Sequence, residues 1–489
     1  MTLGLDLGTS GVKALLLDDE QTVATATARL SVQRPRPGWS EQLPADWWEA
    51  TVRCLDELKS LHPAPFAAVE GIGLSGQMHG LTLLDGDNTV LRPCILWDDS
   101  RSATQCVELE QSVPELRRIA GNLAMPGFSA PKLLWVREHE PHLYRRIAKI
   151  LLPKAWLGWM LTGEFAEDMS DASGTLWLDV GQRRWSAPLL GACGLDESHM
   201  PQLFEGSAPA GRLRQKWVQR WGFSRVPVVA AGAGDNAAGA VGVGAVRPGD
   251  AFLSLGTSGV LWATTEGFSP APDRGVHAFC HALPDTWHQM GVLLSAASSL
   301  SWWCGVTGRS EIELLGELPE AFTTLAPCWF APYLSGERTP HNDANVRAGF
   351  LRLTAGTERA HMTQAIMEGV AFAFRDARDA LASAGTQLSE ADLIGGGVRS
   401  VQWSQVLADV LDLPLHQVAG SEHGCALGAA RLARAAAGGL AEYPKARRVR
   451  TFEPSALRAR SYDQAHARWQ SLYGLARAVP ETVTFEAVV

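Results

Sequence analysis

The first residues of the chain follow a strand-like alternation. Residues 3–7 alternate leucine with glycine or aspartate, and residues 12–17 form a second strand-like run that is apolar except for Lys13. Between them residues 8–11 read Gly-Thr-Ser-Gly, so the pattern predicts a hairpin with a tight glycine turn. Such a turn offers backbone N–H groups and two hydroxyls beside Asp6, which suits a phosphate and a metal ion. An ordinary structural hairpin would have the same pattern.

The same pattern returns in the second half of the chain. Residues 253–260 read Leu-Ser-Leu-Gly-Thr-Ser-Gly-Val and match residues 5–12, except that Ser254 replaces Asp6, 248 positions further along. A repeat at half the chain length predicts two similar domains rather than a solenoid. We place the domain boundary in the turn that follows residue 246, which gives domains of residues 1–246 and 247–489. Two facing hairpins would hold a polyphosphate between them.

The remaining pattern alternates short buried strands with helices, which is typical of an α/β fold. An N-cap at Asp46 predicts a helix that begins at Trp47, and an N-cap at Ser400 predicts another that ends at Leu411. Further strands are predicted at residues 25–32, 68–74, 81–84, 227–231 and 391–394, and further helices at 103–109, 363–382, 423–437 and 462–478.

One loop follows a predicted strand directly. Residues 75–80 read Ser-Gly-Gln-Met-His-Gly, at the carboxyl end of a strand, where open α/β sheets bind ligands. Met78 and His79 are therefore candidate substrate contacts. Taken alone, His79 is explained more simply as a structural histidine.

The richest segment for function is residues 232–244, built of Gly and Ala around Asp235 and Asn236. A strand precedes it and a helix follows, which puts Asp235 near a helix N-terminus. A structural N-cap would explain the aspartate. It would not explain the small neighbours, which let another backbone or a ligand approach closely. We therefore favour a catalytic role for Asp235.

Two loops of the second half also have unusual composition. Residues 395–397 are three glycines at a strand–helix junction, which suits a flat group such as an adenine ring lying on bare backbone, although a structural glycine turn is the alternative. Residues 334–342 form a polar loop with more reactive side chains than a linker needs.

Composition excludes several classes of protein. Of 489 residues, 46% are hydrophobic and 19% charged, as in ordinary globular proteins. The net charge of −9 gives no basic surface for nucleic acid, and no long uncharged apolar run predicts a membrane span. The chain begins in a strand, so no signal peptide is expected. Eight cysteines without a C-x-x-C pair predict buried thiols in a reducing cytoplasm.

Three of these segments together resemble the nucleotide motifs of the actin/hexokinase/Hsp70 ATPase superfamily. Residues 6–11, 253–259 and 394–397 are similar to its phosphate-1, phosphate-2 and adenosine motifs, in the same order. Along essentially its whole length the chain resembles the FGGY carbohydrate kinases of this superfamily. The resemblance implies an α/β fold of two RNase H-like domains that flank an ATP cleft.

Longer motifs point to one branch of that family. Residues 75–80, 234–239 and 333–341 are similar to the motifs of its xylulokinase branch. Glycerol kinases are expected to have an Arg-Glu pair where Met78-His79 stand here, which disfavours that branch. One departure is residues 422–425, where the family more often has a proline. This departure affects a surface near the nucleotide and leaves the chemistry unchanged.

The resemblance also implies which residues bind ATP and Mg²⁺. The phosphates would contact the two turns, with additional positive charge from Lys13. Mg²⁺ would be held, in part through water, by Asp6 and Asp235. The expected nucleotide-binding residues are Thr9, Ser10, Lys13, Thr257, Gly396, Gly397 and Ser400.

For the sugar, the resemblance implies that Asp235 accepts the proton of the terminal hydroxyl while Met78, His79 and Asn236 orient the ketose. The expected reaction converts D-xylulose and ATP to D-xylulose 5-phosphate. Two alternatives stay open: a kinase for another ketose or polyol, such as L-ribulose, and a non-catalytic member that uses nucleotide to drive domain closure. A homodimer is the assembly considered, with neither nucleic acid nor membrane as a partner.

Overall fold

Two seven-stranded sheets, one in each half of the chain, form the framework of the protein. The structure is a computed structural model that describes residues 1–420 and 423–479. The first sheet contains Thr2–Leu7, Gly11–Asp18, Gln21–Arg29, Gly71–Gly76, Pro209–Arg212, Val228–Ala230 and Ala233–Gly234. The second contains Ala251–Leu255, Gly259–Thr265, His277–Cys280, Trp287–Leu293, Ala391–Ile394, Leu415–Val418 and Arg448–Phe452.

The two sheets share one topology around their hairpins. In each sheet the first hairpin strand is antiparallel to the second, which is antiparallel to a further strand. On its other side the first hairpin strand pairs in parallel, Thr2–Leu7 with Gly71–Gly76 and Ala251–Leu255 with Ala391–Ile394. Another parallel strand and an antiparallel strand follow in both sheets. The predicted pair of similar α/β domains is therefore confirmed, whereas the boundary after residue 246 stays a prediction.

Helices cover the faces of both sheets, and short two-stranded ribbons complete the fold. The first-half helices are Pro44–Leu61, Pro63–Ala67, Ala103–Ser112, Leu116–Ala120, Ser129–His139, Pro141–Tyr144, Pro153–Thr162, Met169–Ser173, Ala187–Ala192, Gln215–Trp221 and Asp235–Val243. The second-half helices are Ala297–Thr307, Glu311–Gly316, Arg359–Ser383, Val401–Leu411, Gly424–Ala436, Ala456–Trp469 and Ser471–Ala478. The ribbons pair Glu41–Gln42 with Cys94–Ile95, Thr82–Leu84 with Lys149–Leu151, Ala166–Asp168 with Gln202–Phe204, Leu178–Asp179 with Arg184–Trp185, and Trp329–Ala331 with Gly349–Leu351.

Two predicted helix boundaries are wrong. The helix expected to begin at Trp47 begins at Pro44, because proline favours the first helical turn, and Asp46 lies inside that turn rather than at the N-cap. The single helix expected at residues 462–478 is two helices, Ala456–Trp469 and Ser471–Ala478, which meet at Gln470. The cap at Ser400 is confirmed, since its hydroxyl accepts the N–H of Trp403.

The helix Gly424–Ala436 lies between the first sheet and the helix Asp235–Val243 and contacts both closely. A Cβ atom at Gly73 would lie 1.8 Å from the carbonyl oxygen of Ala429, and one at Gly428 would lie 1.8 Å from that of Ala238. Only glycine permits this approach. A helix from the second half of the chain thus packs on the first sheet. Glu422, part of the departure from the family pattern, lies outside the described residues.

The cysteines and the helices agree with a globular protein that has no disulfide framework. All eight cysteines are free thiols, and most of them are buried. In the described parts of the chain, no helix combines the length and apolar character that crossing a bilayer requires.

Candidate active site

A cavity of about 260 Å³ lies between the two halves of the chain, at the carboxyl ends of the central strands. A second cavity of about 740 Å³ lies beside it, and the turn at Gly256 and Thr257 borders both. The smaller cavity is lined by Met78, His79, Trp97, Phe128, Asp235 and Asn236 from the first half and by Ser254, Ser258, His277, Phe279 and Arg338, among others, from the second. The larger is lined by Leu300, Ile312, Gly396, Gly397, Ser400 and Trp403, among others.

Asp235 is the first residue of its helix rather than the N-cap, which is Gly234. One carboxylate oxygen, Oδ1, accepts the backbone N–H of Asn236 at 2.7 Å and its side-chain Nδ2 at 3.0 Å. The carboxylate also borders the smaller cavity. A purely capping role, the alternative considered from the sequence, does not describe this position.

The environment of Asp235 makes it a stronger base than an exposed aspartate. Burial raises the pKa of Asp235 to about 6, and the negative charge of Asp6 contributes to the rise, while the bonds from Asn236 oppose it. Burial also raises the pKa of Asp6, against the Ser75 hydroxyl that donates to its Oδ1 at 3.1 Å and the charge of Lys13. Lys13 lies opposite Asp6 in the antiparallel register of the first hairpin. Two neighbouring carboxylates at partly buried positions favour a cation between them.

His79 is fixed by contacts on both its ring and its backbone. Nδ1 lies 2.7 Å from the carbonyl oxygen of Gly174, so Nδ1 bears the hydrogen and Nε2 is an acceptor. Its backbone, at a left-handed φ of 69°, has its carbonyl bonded by Ser129 Oγ and Lys132 Nζ, both at 3.0 Å. Burial lowers the pKa of His79 to about 3, so the ring is neutral. The residue is therefore both structurally anchored and part of the cavity wall.

The threonines of the two turns differ in their contacts. Thr9 Oγ1 donates to Gln77 Oε1 at 2.9 Å and accepts from Trp97 Nε1 at 3.0 Å. Thr257 is exposed, and its hydroxyl makes no hydrogen bond to any residue within 1–420 or 423–479. Ser10 is exposed as well.

The glycine junction of the second half gives the larger cavity an open backbone surface. A Cβ atom at Gly396 would meet only the Nη2 atom of Arg399, at 3.7 Å. Gly395 has a φ of 94°, a conformation that side chains disfavour. Gly396 therefore leaves its backbone open, whereas a Cβ atom at Gly397 would lie 2.6 Å from Cγ of Leu255, so Gly397 permits close packing. An adenine ring on this junction stays a prediction.

Comparison with known proteins assigns the family. The model of the N-terminal domain of the FGGY family of carbohydrate kinases matches residues 1–242, and that of the C-terminal domain matches residues 251–437. The chain belongs to the FGGY family of carbohydrate kinases. The resemblance inferred from the motifs is confirmed.

Several relatives of this FGGY kinase are similar along most of their length. It is 51% identical to the xylulose kinase of Escherichia coli strain K12, over 89% of this chain and 90% of that protein. It is 48% identical to the xylulose kinase of Klebsiella pneumoniae, over 91% and 92%. Among solved structures, a "xyloylose kinase" from Brucella ovis matches with a TM-score of 0.94 and 51% identity, covering 98% of this chain and 100% of that one.

The FGGY kinase brings most of the predicted site residues to the two cavities. Met78, His79, Asp235 and Asn236 line the smaller one; Gly396, Gly397 and Ser400 line the larger one. Thr257 borders both. Asp6, Thr9, Ser10 and Lys13 belong to the first hairpin, which the Thr9–Trp97 bond connects to the smaller cavity. The individual roles of these residues stay predictions.

Several cavity residues were not found from the sequence. Arg338 lies inside the polar loop at 334–342, so this segment held a signal that was not assigned to a side chain. His277 and Phe279 belong to an apolar strand whose pattern does not distinguish a cavity wall from a core. Trp97 follows an equally ordinary strand.

Proposed function

We propose that this FGGY kinase transfers the γ-phosphoryl group of ATP to D-xylulose and forms D-xylulose 5-phosphate. The observation that carries the proposal is Asp235, a carboxylate with a raised pKa, in a sugar-sized cavity that adjoins a larger cavity with an open backbone at Gly396. The 51% identity to a xylulose kinase over most of the chain supports the choice of sugar.

Asp235 acts as the general base. At neutral pH its carboxylate is ionised, and with a pKa of about 6 it accepts a proton more readily than a free aspartate, whose pKa is about 3.9. Phosphoryl transfer has a loose transition state, which demands little activation of the attacking hydroxyl before its proton leaves. Asn236 orients the carboxylate through its two bonds to Oδ1. Met78 and His79 position the ketose.

The two turns bind the phosphates of ATP. Their backbone N–H groups are the common element, to which Ser10 and Thr257 add hydroxyls and Lys13 adds charge. Because the hydroxyl hydrogen of Thr9 is bonded to Gln77, Thr9 contributes its backbone N–H. Gly396, Gly397 and Ser400 border the adenosine on the far side of the second turn.

Mg²⁺ fits the chemistry of the acidic residues. Asp6 and Asp235 offer hard carboxylate oxygens, and the charge of Asp6 raises the pKa of Asp235, so a bound cation would relieve a repulsion. When bound with ATP, the ion supplies charge neutralisation to the transferred group.

A substrate panel tests the proposal. ADP release is measured with D-xylulose, L-ribulose, xylitol and glycerol, each at several concentrations, and without sugar. We expect the highest kcat/KM with D-xylulose. A higher kcat/KM with L-ribulose or a polyol would change the assigned substrate, but the assignment as a kinase would remain. No sugar-dependent ADP release from folded protein would favour the non-catalytic alternative.

A homodimer stays a prediction, which light scattering tests.

A further inference from the structure

Part of the second-half wall of the smaller cavity, outside the turn at Gly256 and Thr257, has no role in the proposed mechanism. It includes His277, at the start of the strand His277–Cys280, and Arg338, in the polar loop at residues 334–342. Both are far from the first hairpin in sequence, and both carry polar groups that have no partner among the residues that the structure describes.

The tautomer of His277 follows from its neighbours. The Nδ2 amide of Asn122 donates to the carbonyl oxygens of Ala120 at 2.9 Å and Ala278 at 3.3 Å, so its Oδ1 faces His277. His277 Nδ1 lies 2.8 Å from that oxygen and therefore bears the hydrogen. Nε2 is left as an acceptor, and it has no partner anywhere in the described chain although His277 is only 3% exposed. His277 lines the cavity, and its Nδ1 is already bonded to Asn122. A ligand bound in the cavity can therefore supply the hydrogen-bond donor that Nε2 lacks.

Arg338 offers the complementary group. Its guanidinium lines the cavity and makes no hydrogen bond or ion pair with the residues that the structure describes. The adjacent Glu337 does not neutralise it, because burial raises the pKa of Glu337 to about 8, and its Oε1 accepts the backbone N–H groups of Leu294 and Arg338. The guanidinium is thus a set of unused donors on the cavity wall.

The cavity therefore has two chemically different ends. At one end Asp235 directly follows the strand Ala233–Gly234, which pairs with Ser75 and Gly76 on the opposite side from Asp6 and Leu7. At the other end, the rings of His79 and His277 both pack against the ring of Phe128, with centroid distances of 4.7 and 5.8 Å. Arg338 lies beside them, because a Cβ atom at the adjacent Gly127 would lie 4.0 Å from its Nη2. A ketose whose terminal hydroxyl lies at Asp235 extends its opposite end toward this second group. In D-xylulose that end is a hydroxymethyl ketone, which presents one O–H donor and one carbonyl acceptor.

We propose that His277 and Arg338 bind the hydroxymethyl-ketone end of the sugar. Nε2 of His277 accepts the hydrogen of the C1 hydroxyl, and the guanidinium of Arg338 donates to the C2 carbonyl oxygen. This assignment rests on the proposed function and adds specificity residues from the second half of the chain. It also makes the sugar contact both halves at once.

The C1 contact is tested with 1-deoxy-D-xylulose, which lacks that hydroxyl. The wild-type enzyme should lose about 5- to 150-fold in kcat/KM relative to D-xylulose, because a buried acceptor stays unpaired. In His277→Phe the two sugars should be used about equally well, and His277→Gln, which keeps an acceptor, should restore part of the preference. The KM for ATP should not change in either variant.

The matched control is His288→Phe. His288 is another buried histidine of the second sheet with unpartnered nitrogens, but it stacks on Trp262 at 3.7 Å and is not among the cavity-lining residues. It should keep the wild-type preference. Equal use of the two sugars by the wild-type enzyme, or an unchanged preference in folded His277→Phe, would overturn the assignment of His277.

The C2 contact is tested with Arg338→Met and Arg338→Lys. The methionine variant should raise the KM for D-xylulose about tenfold or more with the KM for ATP unchanged, and lysine should recover part of the loss. A rise in the KM for ATP instead would assign Arg338 to the phosphates and overturn its role at the sugar. If the wild-type enzyme releases no ADP with D-xylulose, the proposed function itself fails, an outcome distinct from these.

Discussion

The turns at residues 8–11 and 256–259 have the same sequence, Gly-Thr-Ser-Gly, and equivalent positions in their sheets, but different surroundings. In the first turn the Thr9 hydroxyl donates a hydrogen bond to Gln77 and accepts one from Trp97. In the second turn Thr257 is exposed beside both cavities and free of side-chain bonds to the described residues. The same turn sequence therefore gives one turn whose threonine is held by side-chain hydrogen bonds and one turn whose threonine hydroxyl is exposed.

The acid is the second difference between the turns. Asp6 precedes the first turn, and Ser254 takes the equivalent position in the second. In the proposed mechanism, a carboxylate at both positions would put additional negative charge beside the phosphates of ATP, and like charges at short distance repel strongly where water is excluded. We therefore propose that the single acid leaves one side of the cleft for the cation and the other for the phosphates.

The largest effect is expected when the first hairpin is made identical to the second. Asp6→Ser should lower kcat by about 10²- to 10³-fold, because it removes a carboxylate proposed to hold the Mg²⁺ that neutralises the transferred group. The measurement is ADP release at saturating D-xylulose and ATP across a range of Mg²⁺ concentrations. The control Ser254→Ala should stay close to wild type. Activity of Asp6→Ser within a few-fold of wild type would remove the acid from the mechanism.

A smaller effect is expected in the open turn. Thr257→Val should raise the KM for ATP about tenfold, since an exposed hydroxyl that bonds the nucleotide is lost, and should leave the KM for D-xylulose unchanged. Steady-state kinetics with each substrate varied in turn separates the two constants. If the ATP constants stay at their wild-type values in a folded variant, Thr257 does not contact the nucleotide.

The fixed turn should respond mainly in stability. Thr9→Val leaves Gln77 Oε1 and Trp97 Nε1 without their partner, which should lower the free energy of unfolding by about 1–3 kcal/mol. Because the backbone N–H remains, the KM for ATP should rise less than in Thr257→Val. Urea unfolding and ATP kinetics on the same sample measure both. A larger ATP effect at Thr9 than at Thr257 would reverse the comparison.

The sequence predicted the hairpins and the positions of Asp235 and Gly396 beside the cavities because these depend on local patterns. It indicated that the small residues around Asp235 allow another backbone or a ligand to approach closely, but it did not decide between the two. A Cβ atom at Gly242 would lie 1.9 Å from the carbonyl oxygen of Gly424, so this glycine permits close helix packing. His277 could not be found, because its tautomer depends on Asn122, 155 residues away. Contacts of that kind follow from the folded arrangement and leave no periodic signal.

The central claim is that Asp235 is the base, and its pH dependence tests this most directly. Since its pKa is raised to about 6, the carboxylate is ionised above that pH and becomes protonated as the pH falls through it. In the Mg²⁺–ATP complex the bound cation lowers the pKa of Asp235 below this value. Single-turnover rates of phosphoryl transfer to D-xylulose should therefore fall about tenfold per pH unit on the acid side of that lowered pKa in the wild-type enzyme. Asp235→Asn should be about 10²- to 10⁴-fold slower at pH 7.5 and should lack this pH dependence. A folded Asp235→Asn variant with a near-normal rate, or with the same acid limb, would contradict the assignment.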